Sequence, residues 1–314
     1  MIHRAERRVM GTTASIIVHG GSQSAESLFE RLEELEASWS RFRPDSELCR
    51  LNASAGAVTQ VSGSLYVLVE HLASARRLTS GRFDPTLHDR IVDLGYDRTY
   101  RELSDDRDTS DRGSNDQIFD GAPATADIVL FPKASAVLLS TGVHLDPGGL
   151  GKGLAGDIIV REAMESGADG VLVEIGGDIV TRGSAPDGNP WRIDIPATDC
   201  EPERVIEMND GAVATSDTRA RRWTVGGISR HHVLDPATGL PVQRDVVATV
   251  IAGMGWWAEA LATAAIISTA RCDDWLTADR AERLGAVVSV SEIQLSTESS
   301  LRGDVESNVE HAHA

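Results

Sequence analysis

The chain has 314 residues, 41% of them hydrophobic, enough to bury a substantial core in one large domain or two closely packed lobes. Its 30 basic and 48 acidic residues give a net charge of −18, which repels nucleic-acid backbones and anionic membrane surfaces at long range, so neither is expected as a partner. No run of about 18 apolar residues occurs and no apolar core follows the basic N-terminus, so no membrane insertion is expected and the expected location is the cytoplasm.

The first strand is expected over residues 9–19, with Met10-Gly11-Thr12-Thr13 on it as core. A helix follows in which Leu28, Leu32, Leu35 and Trp39 share one face, and a second spans about Leu65 to Leu78 with Ser80-Gly81 as its stop signal. Residues 101–127 are dense in Asp, Ser and Gly and read as a mobile acidic surface insertion. A strand at 143–145 is expected to lead into a helix from about Leu154 to Met164. Beyond Gly170, short apolar strands broken by glycine are expected at 171–175, 179–181, 191–195, 212–215, 232–234 and 246–252, then a helix from Trp256 to about Ile267. A C-terminal helix and strand occupy 271–290, and 291–314 is a polar, disordered tail. Hairpins mixed with helices give an α+β fold with mixed or antiparallel sheets flanked by helices. Cys49, Cys200 and Cys272 are far apart without metal-ligand spacing, so reduced structural thiols are expected.

The segment richest in chemistry is Leu145-Asp146-Pro147-Gly148-Gly149-Leu150-Gly151-Lys152-Gly153. It sets a carboxylate, a glycine-rich turn and a lysine at the mouth of a helix, where free amides favour anionic oxygens such as those of a diphosphate. It is not a Walker A loop, because Gly153 stands where the magnesium-binding Ser or Thr would be. An ordinary strand-to-helix turn is the alternative. Glu259 and Thr263 are four residues apart on one helical face, where a carboxylate and a hydroxyl can share a hard cation; the spacing is common by chance, and on it alone a solvated Glu and a core-facing Thr are the simpler reading. His231 and His232 precede an Asp235-Pro236 turn, and either can act as a base toward a hydroxyl or serve only as a hydrogen-bonded pair.

Taken in order, these segments resemble the FAD:protein FMN transferases, the ApbE-like flavin transferases. The resemblance runs through Met10-Gly11-Thr12-Thr13, Ser40 to Glu47, Gly81-Arg82-Phe83-Asp84-Pro85-Thr86, Leu145 to Gly153, Ile175-Gly176-Gly177-Asp178, Ala214-Thr215-Ser216, His232 to Gly239 and Ala260-Leu261-Ala262-Thr263. It covers roughly residues 9–270 as one domain and implies a two-lobed ApbE-like fold. The implied reaction is magnesium-dependent transfer of FMN from FAD to an exposed Thr or Ser of an acceptor flavoprotein, with release of AMP. An FAD diphosphatase yielding FMN and AMP, or a non-catalytic FAD-binding protein, are the alternatives.

The resemblance also implies roles for individual residues. His232 falls on the position of the catalytic base. Met10, Phe42, Arg82, Phe83, Asp84, Asp146 and Lys152 fall on positions that contact the flavin nucleotide, and Gly149 (by its backbone oxygen), Glu259 and Thr263 on the metal site. Glu259 stands where the family usually has Asp, Phe42 where it has Tyr, Pro147 in place of an aliphatic residue and Asp217 where Gly is typical.

Overall fold

In the computed structural model, which describes residues 1–105, 128–197 and 202–292, the N-terminal segment is a hairpin of β1 (Ile2–Val9) and β2 (Thr12–Gly20). This corrects the single strand expected over 9–19. Met10 and Gly11, with φ of 53° and 72°, form a tight two-residue turn with positive φ at both central positions. Met10 is therefore a turn residue leaning on the core from its edge. Along β2, alternate residues Ala14, Ile16 and Val18 are buried. The outer strand β1 carries Arg4, Glu6, Arg7 and Arg8, charges that discourage pairing with another sheet.

α1 (Ala25–Trp39) begins at Ser24, whose hydroxyl accepts from the Ser27 amide in a reciprocal capping arrangement. Its stripe of Leu28, Leu32, Leu35 and Trp39 is at most 2% exposed, and each such side chain stabilises the fold by roughly 1.5–3 kcal/mol. After α2 (Glu47–Ala53) and β3 (Val58–Gln60), α3 (Gly63–Leu78) ends where Ser80 and Gly81 turn left-handed and the Gly81 amide donates back to Arg76 O at 2.8 Å.

Next come α4 (His88–Asp93), α5 (Tyr100–Asp105), β4 (Ile128–Phe131) and β5 (Ala136–Leu139). Of the expected insertion, residues 101–105 belong to α5, and 106–127 lie outside the described residues. No strand forms at 143–145. A side-chain amide takes the place of a sheet partner there: Asn52 Nδ2 donates to Leu145 O at 3.0 Å and Asn52 Oδ1 accepts from Leu145 N at 2.9 Å.

The second half runs α6 (Gly151–Glu165), β6 (Ala168–Ile175), β7 (Asp178–Gly183), β8 (Trp191–Ile195), β9 (Arg204–Met208) and β10 (Gly211–Asp217). It continues through β11 (Arg222–Val225), β12 (Ile228–His231), β13 (Leu234–Asp235), β14 (Leu240–Pro241), β15 (Val246–Ala252), α7 (Gly255–Arg271), α8 (Ala278–Arg283) and β16 (Ala286–Glu292). The strand expected at 232–234 is split between β12 and β13. His231 Nδ1 accepts from the Val233 amide at 3.2 Å, a local bond that replaces a ladder partner. Ser291 and Glu292 pair with β15, and the rest of the expected tail, 293–314, lies outside the described residues. Cys200 does too, while Cys49 and Cys272 are free thiols.

Seven strands make one antiparallel sheet in the order β1-β2-β6-β7-β10-β15-β16. α6 packs on β6 and β7, α7 on β10 and β15, and the two helices pack on each other. A smaller apolar cluster joins Ile91, Leu94, Tyr96 and Leu103 to Trp223, Val225 and Leu234, so that α4 and α5 share a second lobe with β11 to β13. The architecture is the expected α+β arrangement. Among the described residues, no helix is long and apolar enough to cross a membrane.

Candidate active site

The geometry starts where α6 and α7 touch. A Cβ on Gly153 would lie 2.2 Å from Gly255 O, and one on Gly255 2.6 Å from Gly153 O, so the two backbones meet directly and only glycine fits. Gly153 thus serves a helix contact, which accounts for its place where a Walker A loop carries a hydroxyl. Neither helix has a side-chain cap at its own N-cap residue, Leu150 or Met254. Each is capped by the other: Asp157 of α6 accepts from the Gly255 and Trp256 amides at 2.8 and 2.9 Å, and Glu259 of α7 accepts from the Gly153 amide at 2.8 Å. The anion at the mouth of α6 is therefore a carboxylate of the protein itself.

Glu259, only 3% exposed, also accepts from Lys152 Nζ at 2.7 Å. The same ammonium is paired with Asp178, whose other oxygen accepts from the Thr215 amide at 3.3 Å. Burial alone would lower the Lys152 pKa, but Asp178 and Glu259 raise it above the ordinary lysine value, so the ammonium stays charged. Burial, reinforced by Asp178, raises the Glu259 carboxyl in spite of Lys152. One cation lies between two buried carboxylates.

Beside this triad, a Cβ on Gly149 would lie 3.3 Å from Thr263 Oγ1 and 3.0 Å from Phe83 Cε2. From Trp257 to Ser268 every residue of α7 is buried except Thr263, whose hydroxyl opens toward the Gly149 turn. Hydroxyl, backbone carbonyl and the Glu259 and Asp178 carboxylates are all hard oxygen donors, a set that fits magnesium. Phe83 is aimed by the turn after α3. Asp84 is held by Arg76 at 2.8 Å and accepts from the Thr86 amide and hydroxyl at 2.9 and 2.7 Å, which makes it an anchor beneath the turn. Arg82 is separate from the cluster, its guanidinium tied to Asp273 at 2.7 Å and stacked 4.7 Å from the Trp275 ring.

Asp146 occupies the opposite lip. Its amide donates to Pro85 O at 2.8 Å, its Oδ1 accepts from the Gly148 amide at 2.8 Å, and its Oδ2 pairs with Arg41 at 3.0 Å. The Arg41 guanidinium lies 4.1 Å from the Phe42 ring and 4.6 Å from the Tyr96 ring, and Tyr96 continues to Trp223 at 5.1 Å. Met10 is at the same end of the sheet as Asp178, because its hairpin turn neighbours the Gly176-Gly177 turn through the Gly176 amide bond to Thr13 O.

The two histidines differ in what they have free. His231 is buried, donates from Nε2 to Val242 O at 2.8 Å and accepts at Nδ1 from Val233, so both nitrogens are used. His232 is half-buried and donates from Nδ1 to Ala220 O at 3.2 Å; a carbonyl can only accept, which leaves the Nε2 lone pair available. Burial, then Arg221, His231 and Lys152, lower its pKa to about 3, so this imidazole is neutral near pH 7.

The structure thus gathers Phe83, Asp146, Gly149, Lys152, His232, Glu259 and Thr263 around the α6–α7 joint, with Phe42 on the flank. Arg41 and Asp178, which belong to the motifs of the resemblance but carry no role in the sequence, join the site together with Tyr96 and Arg221, which lie outside those motifs. Arg221, hydrogen-bonded to Tyr96 and felt by both His232 and Lys152, adopts a left-handed φ of 49° that nothing in the Ala-Arg-Arg run signals. Asp178 had a signal, since it directly follows the Gly176-Gly177 turn. A shallow hollow of about 510 Å³ near Met208, Gly211 and Ile251 is at the other end of β10 and contains none of these residues.

Residues 10–288 match the model of the ApbE family. The chain is 29% identical over 280 residues to the FAD:protein FMN transferase of Treponema pallidum, a match spanning 82% of this chain and 76% of that protein. With the FAD:protein FMN transferase of Vibrio cholerae it shares 29% identity over 275 residues, 82% of this chain and 79% of the relative. Its fold is similar to the crystal structure of the ApbE protein from Thermotoga maritima, with a TM-score of 0.77 at 24% identity over 93% of this chain and 94% of that one. It is also similar to the apo form of the Pseudomonas stutzeri flavinyl transferase ApbE, with a TM-score of 0.70 at 23% identity, covering 92% and 90% of the two chains.

Proposed function

The chain belongs to the ApbE family, and from that premise we propose that it is an FAD:protein FMN transferase, moving FMN from FAD to a Thr or Ser hydroxyl of an acceptor flavoprotein with release of AMP. The observation that carries the reading is the convergence, at one helix joint, of a half-buried Thr263 hydroxyl, the Lys152 ammonium and a His232 imidazole that feels the Lys152 charge and has a free Nε2. The matched relatives bear the name of this activity.

In this proposal Thr263, the Gly149 carbonyl and Glu259 hold magnesium, which when bound neutralises charge on the diphosphate. The acceptor hydroxyl oxygen attacks the phosphorus of the FMN half, the bridging P–O bond breaks, and AMP leaves. His232 Nε2 takes the hydroxyl proton. A pKa of about 3 in the free protein makes His232 a weak base, and the negative charge of a bound diphosphate acts in the direction that strengthens it. Arg221 brings positive charge toward the phosphates of the nucleotide in a protein whose net charge is −18, while the Lys152 charge is already matched by Asp178 and Glu259. Phe42 and Tyr96, whose ring centroids lie 5.7 Å apart and which share the Arg41 guanidinium held by Asp146, offer an aromatic flank for the flavin ring. A cytoplasmic setting is part of the proposal and rests on the sequence.

The test is to incubate the purified chain with FAD and magnesium, with and without a flavoprotein carrying an exposed Thr or Ser, and to follow AMP and protein-bound flavin fluorescence. AMP that depends on the acceptor and matches the flavin bound supports transfer. AMP formed equally without acceptor would assign an FAD diphosphatase, and no AMP in either case would reduce the protein to an FAD binder.

A further inference from the structure

Outside the site described above, two histidines converge on one carboxylate. His88 and Asp89 open α4, and His144 comes from the segment between β5 and Asp146. His144 Nδ1 is 2.7 and 2.8 Å from the two Asp89 oxygens, and His88 Nδ1 is 2.9 Å from Asp89 Oδ1. The imidazole rings stand edge to face at 5.9 Å, and one donor atom from each residue lies within 4.8 Å of the other two. Their side chains are 21%, 55% and 31% exposed for His88, Asp89 and His144, so the cluster is open to water on one side.

We propose that His88, Asp89 and His144 bind one divalent transition ion of the zinc class, at a site distinct from the oxygen donors around Thr263. Two imidazole nitrogens and a carboxylate suit a borderline ion such as Zn²⁺ or Co²⁺, whereas Mg²⁺ and Ca²⁺ prefer all-oxygen sets. Bonds of about 2.0–2.1 Å in a tetrahedron place donors about 3.4 Å apart. The present 2.7–2.9 Å contacts need only a small outward shift of partly exposed side chains to admit the ion. Water completes the coordination from the open side.

The ion would join α4 to the segment bearing Asp146, alongside the bond from the Asp146 amide to Pro85 O at 2.8 Å. A cation here thus fixes the lip of the candidate active site without entering its chemistry. The proposal does not depend on the flavin-transfer reading, because its test needs neither FAD nor turnover.

The full chain, free of any polyhistidine tag and stripped of metal, is titrated with Co²⁺ in excess Mg²⁺ while its visible absorption is recorded. One equivalent should bind with the d–d bands of a nitrogen-containing site, and Zn²⁺ should displace it. His144→Ala and Asp89→Asn should each weaken binding by at least about 100-fold, more than loss of an outer-shell partner of a metal ligand costs. Thr263→Ala should leave binding unchanged. Should His144→Ala fail to fold, His88→Ala and the rise in thermal midpoint of the unmodified chain on adding Zn²⁺ carry the test. Absence of stoichiometric Co²⁺ binding, full competition by Mg²⁺, or unchanged binding in the folded histidine variants overturns the proposal.

Discussion

Replacing Lys152 with Met keeps the length of the side chain and removes the cation between Asp178 and Glu259. These carboxylates are 5% and 3% exposed, and Lys152 lies 2.7 Å from Glu259, so the variant leaves two buried negative charges facing each other. Removing one partner of a buried ion pair costs about 3–5 kcal/mol, and the 17% exposure of the Lys152 side chain argues for the lower end, about 3 kcal/mol. The deficit should depend on pH in a defined direction. In the variant the Glu259 carboxyl is raised further above its unfolded value, so the native state binds a proton more tightly than the unfolded state. Stability is then fully present below the unfolded pKa and is lost as pH rises through the folded pKa. Urea unfolding followed by tryptophan fluorescence, in chelator so that no added cation substitutes for the ammonium, should show the full deficit at neutral pH and a smaller one on acidification. Adding Glu259→Gln to the variant should recover part of it. A loss under about 1 kcal/mol at neutral pH, or a deficit that grows as the pH falls, would refute the argument.

Gly153→Ala sets a methyl 2.2 Å from Gly255 O, so it should destabilise the fold by about 3 kcal/mol or more through forced separation of α6 and α7, read as a drop in thermal midpoint. His232→Ala should retain FAD binding while lowering the transfer rate about 10²- to 10⁴-fold, the usual range for loss of a general base; His231→Ala should act instead on stability, because both His231 nitrogens are used in backbone hydrogen bonds. Since the His232 pKa is lowered to about 3, its contribution to stability is complete above the unfolded value near 6.5 and is lost as pH falls toward 3, so His232→Ala should flatten that part of the acid unfolding curve. Thr263→Ala should raise the magnesium concentration needed for turnover, and an unchanged magnesium dependence would remove this hydroxyl from the metal site.

The helical stripe of α1 and the apolar strands β6, β7, β8, β10 and β15 were legible because burial writes a period or an apolar run into the sequence, whereas the more polar β9 and β11 and the two-residue β14 carry no such signal. The expected first strand failed because Val9, Met10, Thr12 and Thr13 are apolar or β-prone and a lone Gly11 fits a bulge as well as a turn, so only the backbone reveals that Met10 takes a positive φ. A strand at 143–145 was equally plausible from composition, but its hydrogen bonds go to Asn52, 93 residues away, and no local pattern encodes that partner. The candidate site divides in the same manner. Glu259 and Thr263 could be paired from helical spacing, whereas Arg41, Asp178 and Arg221 reach the site through tertiary contacts. The choice between His231 and His232 depends on which carbonyls lie opposite, Val242 for one and Ala220 for the other.

The length of the Glu259 side chain acquires a physical meaning from the joint. One Glu259 oxygen ends at the Gly153 amide and the other at Lys152 Nζ, so the carboxylate spans from α7 to the first turn of α6. Asp157 makes the converse connection, from α6 to the Gly255 and Trp256 amides of α7. Two buried carboxylates with opposite direction, placed on either side of the Gly153–Gly255 contact, prevent the helices from sliding along each other, because a shift that shortens one cap lengthens the other. Gly149 precedes α6 and Thr263 lies on α7 one turn beyond Glu259. The gap between them is therefore set by the same joint that closes the core, and the residues that stabilise the fold here are also those that position the candidate metal ligands.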